Sequence, residues 1–151
     1  MFIHLQHTEL VAASPEQLFA VLTDYENYPR WNDNVVSATL VRRDEQEAEV
    51  FAERTTLIGR KVHFIDRYAP KPLLQFERRY LGTNDTARST WTVEPAHNGQ
   101  AYFTIEAQMT LPFFPGAFQR PILKRMFYRI NFPPFIKAAE GSGTRVAQPT
   151  F

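Results

Sequence analysis

Ala13-Ser14-Pro15-Glu16-Gln17-Leu18-Phe19-Ala20-Val21-Leu22-Thr23-Asp24-Tyr25-Glu26-Asn27-Tyr28-Pro29-Arg30-Trp31-Asn32 joins a strongly signalled helix to an aromatic break, just before a long region of strand-like alternation. Ser14 is placed to cap the helix. Pro15 takes the first helical position, where its missing N–H costs nothing, and Gln17 three residues after Ser14 completes a capping box. Leu18, Val21 or Leu22, and Tyr25 form one apolar stripe, and Pro29 bounds the helical region, so a helix is expected over 15–26 with a further short turn over 28–33.

On either side the signal is β. A first strand is expected near 3–12, and six more near 35–43, 47–58, 61–69, 73–81, 86–95 and 101–111, each bounded by turn chemistry or charge. Turns at Arg43-Asp44-Glu45-Gln46, Ile58-Gly59-Arg60, Ala69-Pro70-Lys71-Pro72, Gly82-Thr83-Asn84-Asp85 and His97-Asn98-Gly99-Gln100 imply an antiparallel meander. A C-terminal helix begins near Phe118, and Pro133-Pro134 demands a break or kink before Phe135 to Glu140. The order is β-α-α-β6-α, an α+β fold. At 151 residues the chain has the length of one domain, expected over 1–140, with Gly141-Ser142-Gly143 opening a flexible tail over 141–151.

Composition narrows the function classes. A formal net charge of +1 carries no global polyanion-binding signature, so no DNA partner is expected. There is no cysteine, which removes disulfides, thiolate nucleophiles and cysteine metal sites. The four histidines form no recognised ligand spacing, and there is no phosphate-cradling glycine loop or serine elbow, so neither a metal nor a cofactor is expected. Nothing reads as a signal peptide or membrane span, and a cytoplasmic location is the expectation.

Period-two alternation assigns strand residues to faces. Ala101, Phe103, Ile105, Ala107, Met109 and Leu111 share one face of the last strand. The same test points Ala87, Ser89, Trp91 and Val93 inward, with Leu74, Phe76, Arg78 and Tyr80; Val62, Phe64, Asp66 and Tyr68; and Ala48, Val50, Ala52, Arg54 and Thr56. The first strand does not resolve. Pairing about Gly59 sets Arg54 opposite Asp66, and the next hairpin brings Arg78 opposite or diagonal to Asp66, an Arg-Asp-Arg cluster. Phe76 is expected opposite Trp91 and Tyr80 opposite Ala87. The last hairpin needs a bulge or an odd-length loop to keep parity.

Charges on an inner face are expensive unless paired, which favours a water-accessible cavity there. Arg54 and Arg78 then meet a polar or anionic ligand group, with Asp66 orienting them; the alternative is a self-satisfied structural ion cluster. A carboxylate between two arginines makes a poor general base. Trp31, Phe64, Tyr68, Phe76, Tyr80, Trp91 and Phe103 either line that interior or form an aromatic core. In the C-terminal helix Phe118, Ile122, Met126 and Ile130 recur at i, i+4, with Leu123 and Phe127 beside them, and should close the sheet. Arg120, Lys124, Arg125 and Arg129 on the remaining surface, after Phe113 and Phe114, make either a solvated face or a transient membrane contact.

The strand-end Ala13-Ser14-Pro15-Glu16-Gln17-Leu18-Phe19 run, Asp24 near the helix end and Tyr28-Pro29-Arg30-Trp31 leading into a sheet resemble the START-like ligand-binding superfamily, specifically its polyketide cyclase/dehydrase and lipid-transport branch. The resemblance covers residues 1 to about 140 and implies a helix-grip fold, a seven-stranded antiparallel sheet around a long C-terminal helix. It implies binding or transport of a hydrophobic or amphipathic small molecule such as a lipid, polyketide, isoprenoid or quinone. The expected binding residues are Trp31, Arg54, Phe64, Asp66, Tyr68, Phe76, Arg78, Tyr80, Trp91, Phe103, Ile105, Phe118, Ile122 and Met126. Two alternatives remain open: a cyclase or dehydratase using Arg54 or Arg78 on an enolate and Tyr68 or Tyr80 for proton transfer, and a coenzyme Q-binding-like or partner-binding module using the basic helix face.

Overall fold

The computed structural model describes residues 2–55, 61–82, 87–110 and 119–147. The turn at Gly59, most of the turn after Gly82, inward Thr56 and Leu111, Phe113, Phe114 and Phe118 lie outside the described residues. The strands are β1 (Phe2–Val11), β2 (Val35–Arg43), β3 (Glu47–Arg54), β4 (Lys61–Tyr68), β5 (Leu74–Leu81), β6 (Arg88–Pro95) and β7 (Ala101–Thr110). The helices are α1 (Pro15–Leu22), α2 (Tyr28–Trp31), α3 (Gln119–Asn131) and α4 (Pro133–Ala147).

The seven strands form one antiparallel sheet in the order β1-β7-β6-β5-β4-β3-β2, so the meander from β2 to β7 is closed off by the first strand. Together with the C-terminal helices on the inner face, this is the helix-grip arrangement.

Helix α1 starts as its residues dictate. Ser14 Oγ accepts from the Gln17 backbone N–H at 3.1 Å, and Gln17 Oε1 accepts from the Ser14 N–H at 3.1 Å, a complete capping box. It ends earlier than expected, at Leu22. The Thr23 hydroxyl donates to the Phe19 carbonyl at 2.9 Å, and Asp24 leaves helical geometry while accepting from the Asn27 amide. Such side-chain bonds compete with helical propagation. Tyr25 is buried all the same, from the 3-10 turn Tyr25–Asn27.

The hairpins hold the inner face in parity. Phe76 lies opposite Trp91, and Tyr80 N–H donates to the Ala87 carbonyl at 3.2 Å. Between β6 and β7, Pro95 pairs with Ala101 across an odd-length loop, with Asn98 and Gly99 both at positive φ, so Trp91 meets inward Ile105. The unresolved β1 settles by pairing with β7: Leu5 lies opposite Ala107 and Val11 opposite Ala101, which turns Ile3, Leu5, His7, Glu9 and Val11 inward.

The polar members of that set have partners among the helices. Tyr128 of α3 donates to Glu9 Oε2 at 3.3 Å, and the His7 ring meets the rings of Tyr128 and Phe132 edge-on at 5.0 and 4.7 Å. Alternation in β1 fails as a sequence signal because these inward polar residues are satisfied from across the core.

The C-terminal helical segment is split at Phe132, as the two prolines require. Helix α4 is the anchored half: Phe135, Ile136 and Ala139 are buried with Phe132, and α4 packs against α1. The backbone stays helical to Ala147, past Gly141-Ser142-Gly143, where the sequence reading begins a flexible tail. Residues 148–151 lie outside the described residues.

Candidate functional site

Between the inner face of the sheet and α3 lies a cavity of about 300 Å³. Ile3 and Leu5 of β1, Trp91 of β6, and Ile105 and Ala107 of β7 form its floor, and Leu123, Phe127 and Ile130 of α3 form its roof. Polar groups also line it: Arg54, Tyr80, Arg88, Ser89, Gln108 and Asn131. A second, much smaller void of about 40 Å³ shares Arg54, Tyr80, Ile130 and Asn131 with the first and continues toward Tyr28, Phe64 and Arg78.

Helix α3 makes a loose roof. None of its described side chains from Arg120 to Asn131 is buried, and Ile122 is 54 % and Met126 47 % exposed. Of the apolar face expected from the sequence pattern, Leu123, Phe127 and Ile130 lie over the cavity with Met126 at the margin, whereas Ile122 points to solvent. A helix apolar over so wide an arc leaves its rotation to the packing partner, which here is β1 with its Tyr128–Glu9 tie.

The expected Arg-Asp-Arg cluster resolves into one pair. Asp66 lies opposite Ala48 on β3 and opposite Arg78 on β5, so Arg54 stands six residues farther along β3 than the partner of Asp66. The β3–β4 register is shifted by six residues from the one that sets Arg54 opposite Asp66, and the connecting sequence carries no strong hairpin dipeptide that would specify it.

Arg78 binds Asp66 through two bonds, Nε to Oδ1 at 2.8 Å and Nη2 to Oδ2 at 2.9 Å. Nη2 also donates to the Tyr28 hydroxyl at 3.0 Å, and that hydroxyl donates to the Leu22 carbonyl. The guanidinium lies between the Phe64 and Trp91 rings, 4.1 and 4.5 Å from their centroids.

Asp66 is fully buried and Arg78 nearly so. The Asp66 carboxylate holds the guanidinium charged well above the ordinary arginine range, against the desolvation that opposes it. This pair ties the sheet to the end of α1 and to α2, which makes it a structural strut. A second strut runs beside it. The Tyr25 and Tyr68 hydroxyls bond at 2.7 Å, and Arg43 Nη1 donates to the Thr23 carbonyl at 2.9 Å while lying over both rings. Burial raises all three phenols, Tyr25 and Tyr28 strongly and Tyr68 less so.

The structure therefore divides the residues expected to bind. Arg54, Tyr80, Trp91, Ile105 and Met126 line the main cavity, and Arg54 sits over the Tyr80 ring at 5.9 Å. Trp91 serves two roles, since its Nε1 donates to Ser89 Oγ at 2.9 Å and its ring stacks on Phe76. Phe64 and Arg78 reach only the small void. Asp66, Phe76 and Phe103 are core, Tyr68 belongs to the Tyr25 strut, and Trp31 packs against the core from α2 with its indole N–H unpartnered. Ile122 is on the solvent side, and Phe118 lies outside the described residues.

The expected binding residues omit Ile3, Leu5, Ala107 and Asn131, and also Leu123 and Phe127, although those two belong to the helix face expected to close the sheet. Ala107 was legible as inward-facing; it lies opposite Leu5 in the floor of the cavity.

A sheet gripping a helix with an apolar cavity between them defines a ligand-binding architecture. The model of the family described as polyketide cyclase / dehydrase and lipid transport matches residues 3–131, and the chain belongs to that family. Its general role is therefore that of the START-like superfamily, ligand binding or transport. No curated protein matches the chain.

Solved structures share the fold at low identity. A START superfamily protein from Mycobacterium smegmatis is 18 % identical, with a TM-score of 0.68 over 95 % of this chain and 98 % of its own. A Thermus thermophilus protein is also 18 % identical, with a TM-score of 0.71 over 97 % and 100 %. The Zhui aromatase/cyclase from a Streptomyces species is 15 % identical, with a TM-score of 0.69 over 98 % and 97 %.

Proposed function

We propose that the protein binds and carries an amphipathic small molecule in the cavity beneath α3. The observation that carries this reading is the cavity's make-up: an apolar floor and roof, a volume at the lower end of the roughly 300–1,000 Å³ usual for ligand pockets, and a few polar residues such as Tyr80, Ser89 and Asn131 among the lining. The outer face of α3 suits transient contact with an anionic membrane during exchange. Ile122 and Met126 stand exposed among Arg120, Lys124, Arg125 and Arg129.

A vesicle-transfer assay tests both halves of the proposal. The wild type should move a fluorescent single-chain amphiphile between vesicles containing phosphatidylglycerol, faster than between neutral ones. Ala107→Phe, which fills the floor, should abolish both transfer and equilibrium binding. Ile122→Asp with Met126→Asp should slow transfer while leaving equilibrium binding intact. Equal transfer by wild type and Ala107→Phe would remove the cavity from the account.

A cyclase reading has one observation in its favour, the juxtaposition of Arg54 and Tyr80 on the cavity wall, where a guanidinium can stabilise an enolate beside a phenol that can exchange a proton. The Arg78 and Tyr68 versions of that mechanism do not reach the main cavity. Turnover of a poly-β-ketone substrate, lost in Tyr80→Phe, would favour it over carriage.

A further inference from the structure

We infer that the small void of about 40 Å³ beside the cavity holds the ligand's polar end, and that this end is a neutral carbonyl oxygen, accepting hydrogen bonds from Arg78 Nη1 and Asn32 Nδ2 while the apolar body lies under α3. This deepens the carrier reading and rests on it.

Arg78 and Asn32 both line the void and are almost wholly buried, 4 % and 3 % exposed. Each uses only part of its donor capacity. Of the five N–H groups of a guanidinium, those on Nε and Nη2 bind Arg78 to Asp66 and to the Tyr28 hydroxyl in the strut, and Nη1 has no acceptor among the described residues. Asn32 Oδ1 accepts from the Asn34 backbone N–H at 3.0 Å, which fixes which way the amide points, and Nδ2 likewise has no acceptor among the described residues. Buried donors without an acceptor are costly, and an oxygen brought to them relieves that cost.

A void of this size has room for one water or one ligand oxygen. It shares Tyr80, Ile130 and Asn131 with the main cavity, so a head placed in it stays joined to a body in the larger space.

Charge selects the head. Two bonds to Asp66 match the Arg78 charge, so the strut offers donors without net charge, and Arg54, which borders both spaces, is already engaged within the chain. An acid head would set a second negative charge beside buried Asp66. An alcohol brings a proton of its own to a place where both unsatisfied groups are donors. The oxygen of a ketone, quinone or ester has two lone pairs and brings neither charge nor proton.

The test is titration with 2-acetylnaphthalene, 1-(2-naphthyl)ethanol, 2-naphthoate and 2-ethylnaphthalene, and with 2-undecanone and undecanoate as a chain pair. In at least one series the ketone should bind about tenfold tighter than its comparators. Its bound carbonyl stretch, read by difference infrared spectroscopy, should lie below its frequency in hexane. Asn32→Asp keeps the oxygen that holds the Asn34 N–H and removes the Nδ2 donors. Ala52→Val fills the void from a residue that does not line the main cavity. Each variant should bring the ketone to the affinity of 2-ethylnaphthalene and return the carbonyl band toward its hexane position, with 2-ethylnaphthalene itself binding as before. If Asn32→Asp does not fold, Ala52→Val and the wild-type carbonyl band decide the matter.

A ketone bound no tighter than the acid, the alcohol or the ethyl compound, or a bound carbonyl at its hexane frequency, overturns the carbonyl site and leaves the carrier reading standing. Binding of no member of either series overturns the carrier reading and the carbonyl site with it.

Discussion

At the scale of single residues, the consequential distinction is between the two arginines that look alike in sequence. Arg78 and Arg54 both alternate inward, but one is locked to a buried carboxylate and the other lines the cavity. Arg78→Met leaves Asp66 buried with its main partner gone, which should cost about 3–5 kcal/mol. A denaturant titration reads it. Arg78→Met with Asp66→Leu should recover most of the loss, since replacing both members of a buried pair is often near neutral. An unchanged midpoint in Arg78→Met with loss of ligand binding would make Arg78 a binding residue instead.

The tyrosine struts give a pH signature at the same scale. Tyr25, Tyr28 and Tyr68 have folded-state values raised above the unfolded phenol's value of about 10, so their contribution to stability is complete below that pH and is lost as pH climbs beyond it. In an alkaline titration part of the tyrosinate absorbance should be delayed and appear together with the loss of far-ultraviolet circular dichroism. Complete tyrosine ionisation in a still-folded protein would contradict the strut assignment.

At the scale of elements, the division of the C-terminal segment into a loose α3 and an anchored α4 governs access to the cavity. Helix α4 buries Phe135, Ile136 and Ala139, whereas α3 buries no described side chain and holds to β1 through Tyr128 and Glu9. Helices with few buried contacts open locally at low free-energy cost. Amide hydrogen exchange should therefore be faster through 122–130 than through 135–140 in the free protein, and a bound amphiphile should slow the first segment selectively. Equal protection of both helices, unchanged by ligand, would show that α3 is no lid.

Much of this level was legible beforehand. Ser14, Pro15 and Gln17 mark the start of α1, and Pro133-Pro134 marks the break between α3 and α4, because caps and prolines act locally. The rotation of α3 and the inward face of β1 were not legible, since the first depends on a contact between residues 9 and 128 and the second on pairing with β7, the last strand of the chain.

At the scale of the whole molecule, strand alternation reaches as far as the inner face of β3 to β7 and stops at register. Phe76 opposite Trp91 follows from the parity of a short turn, whereas Asp66 opposite Ala48 depends on the length of the β3–β4 turn, which sequence chemistry does not specify. The cavity was legible only as an expectation from inward charge. It opens between the sheet, where small Ala107 lies opposite Leu5, and a helix α3 none of whose described side chains is buried.

Native mass spectrometry of the freshly purified protein tests most directly whether the cavity beneath α3 holds a ligand. The wild type should carry a co-purifying small molecule at one per chain, and Ala107→Phe, equally folded, should emerge bare. A wild type that emerges bare and takes up nothing from a lipid and aromatic extract, or an adduct of the same mass on both proteins, would contradict the claim that the cavity beneath α3 is a ligand site.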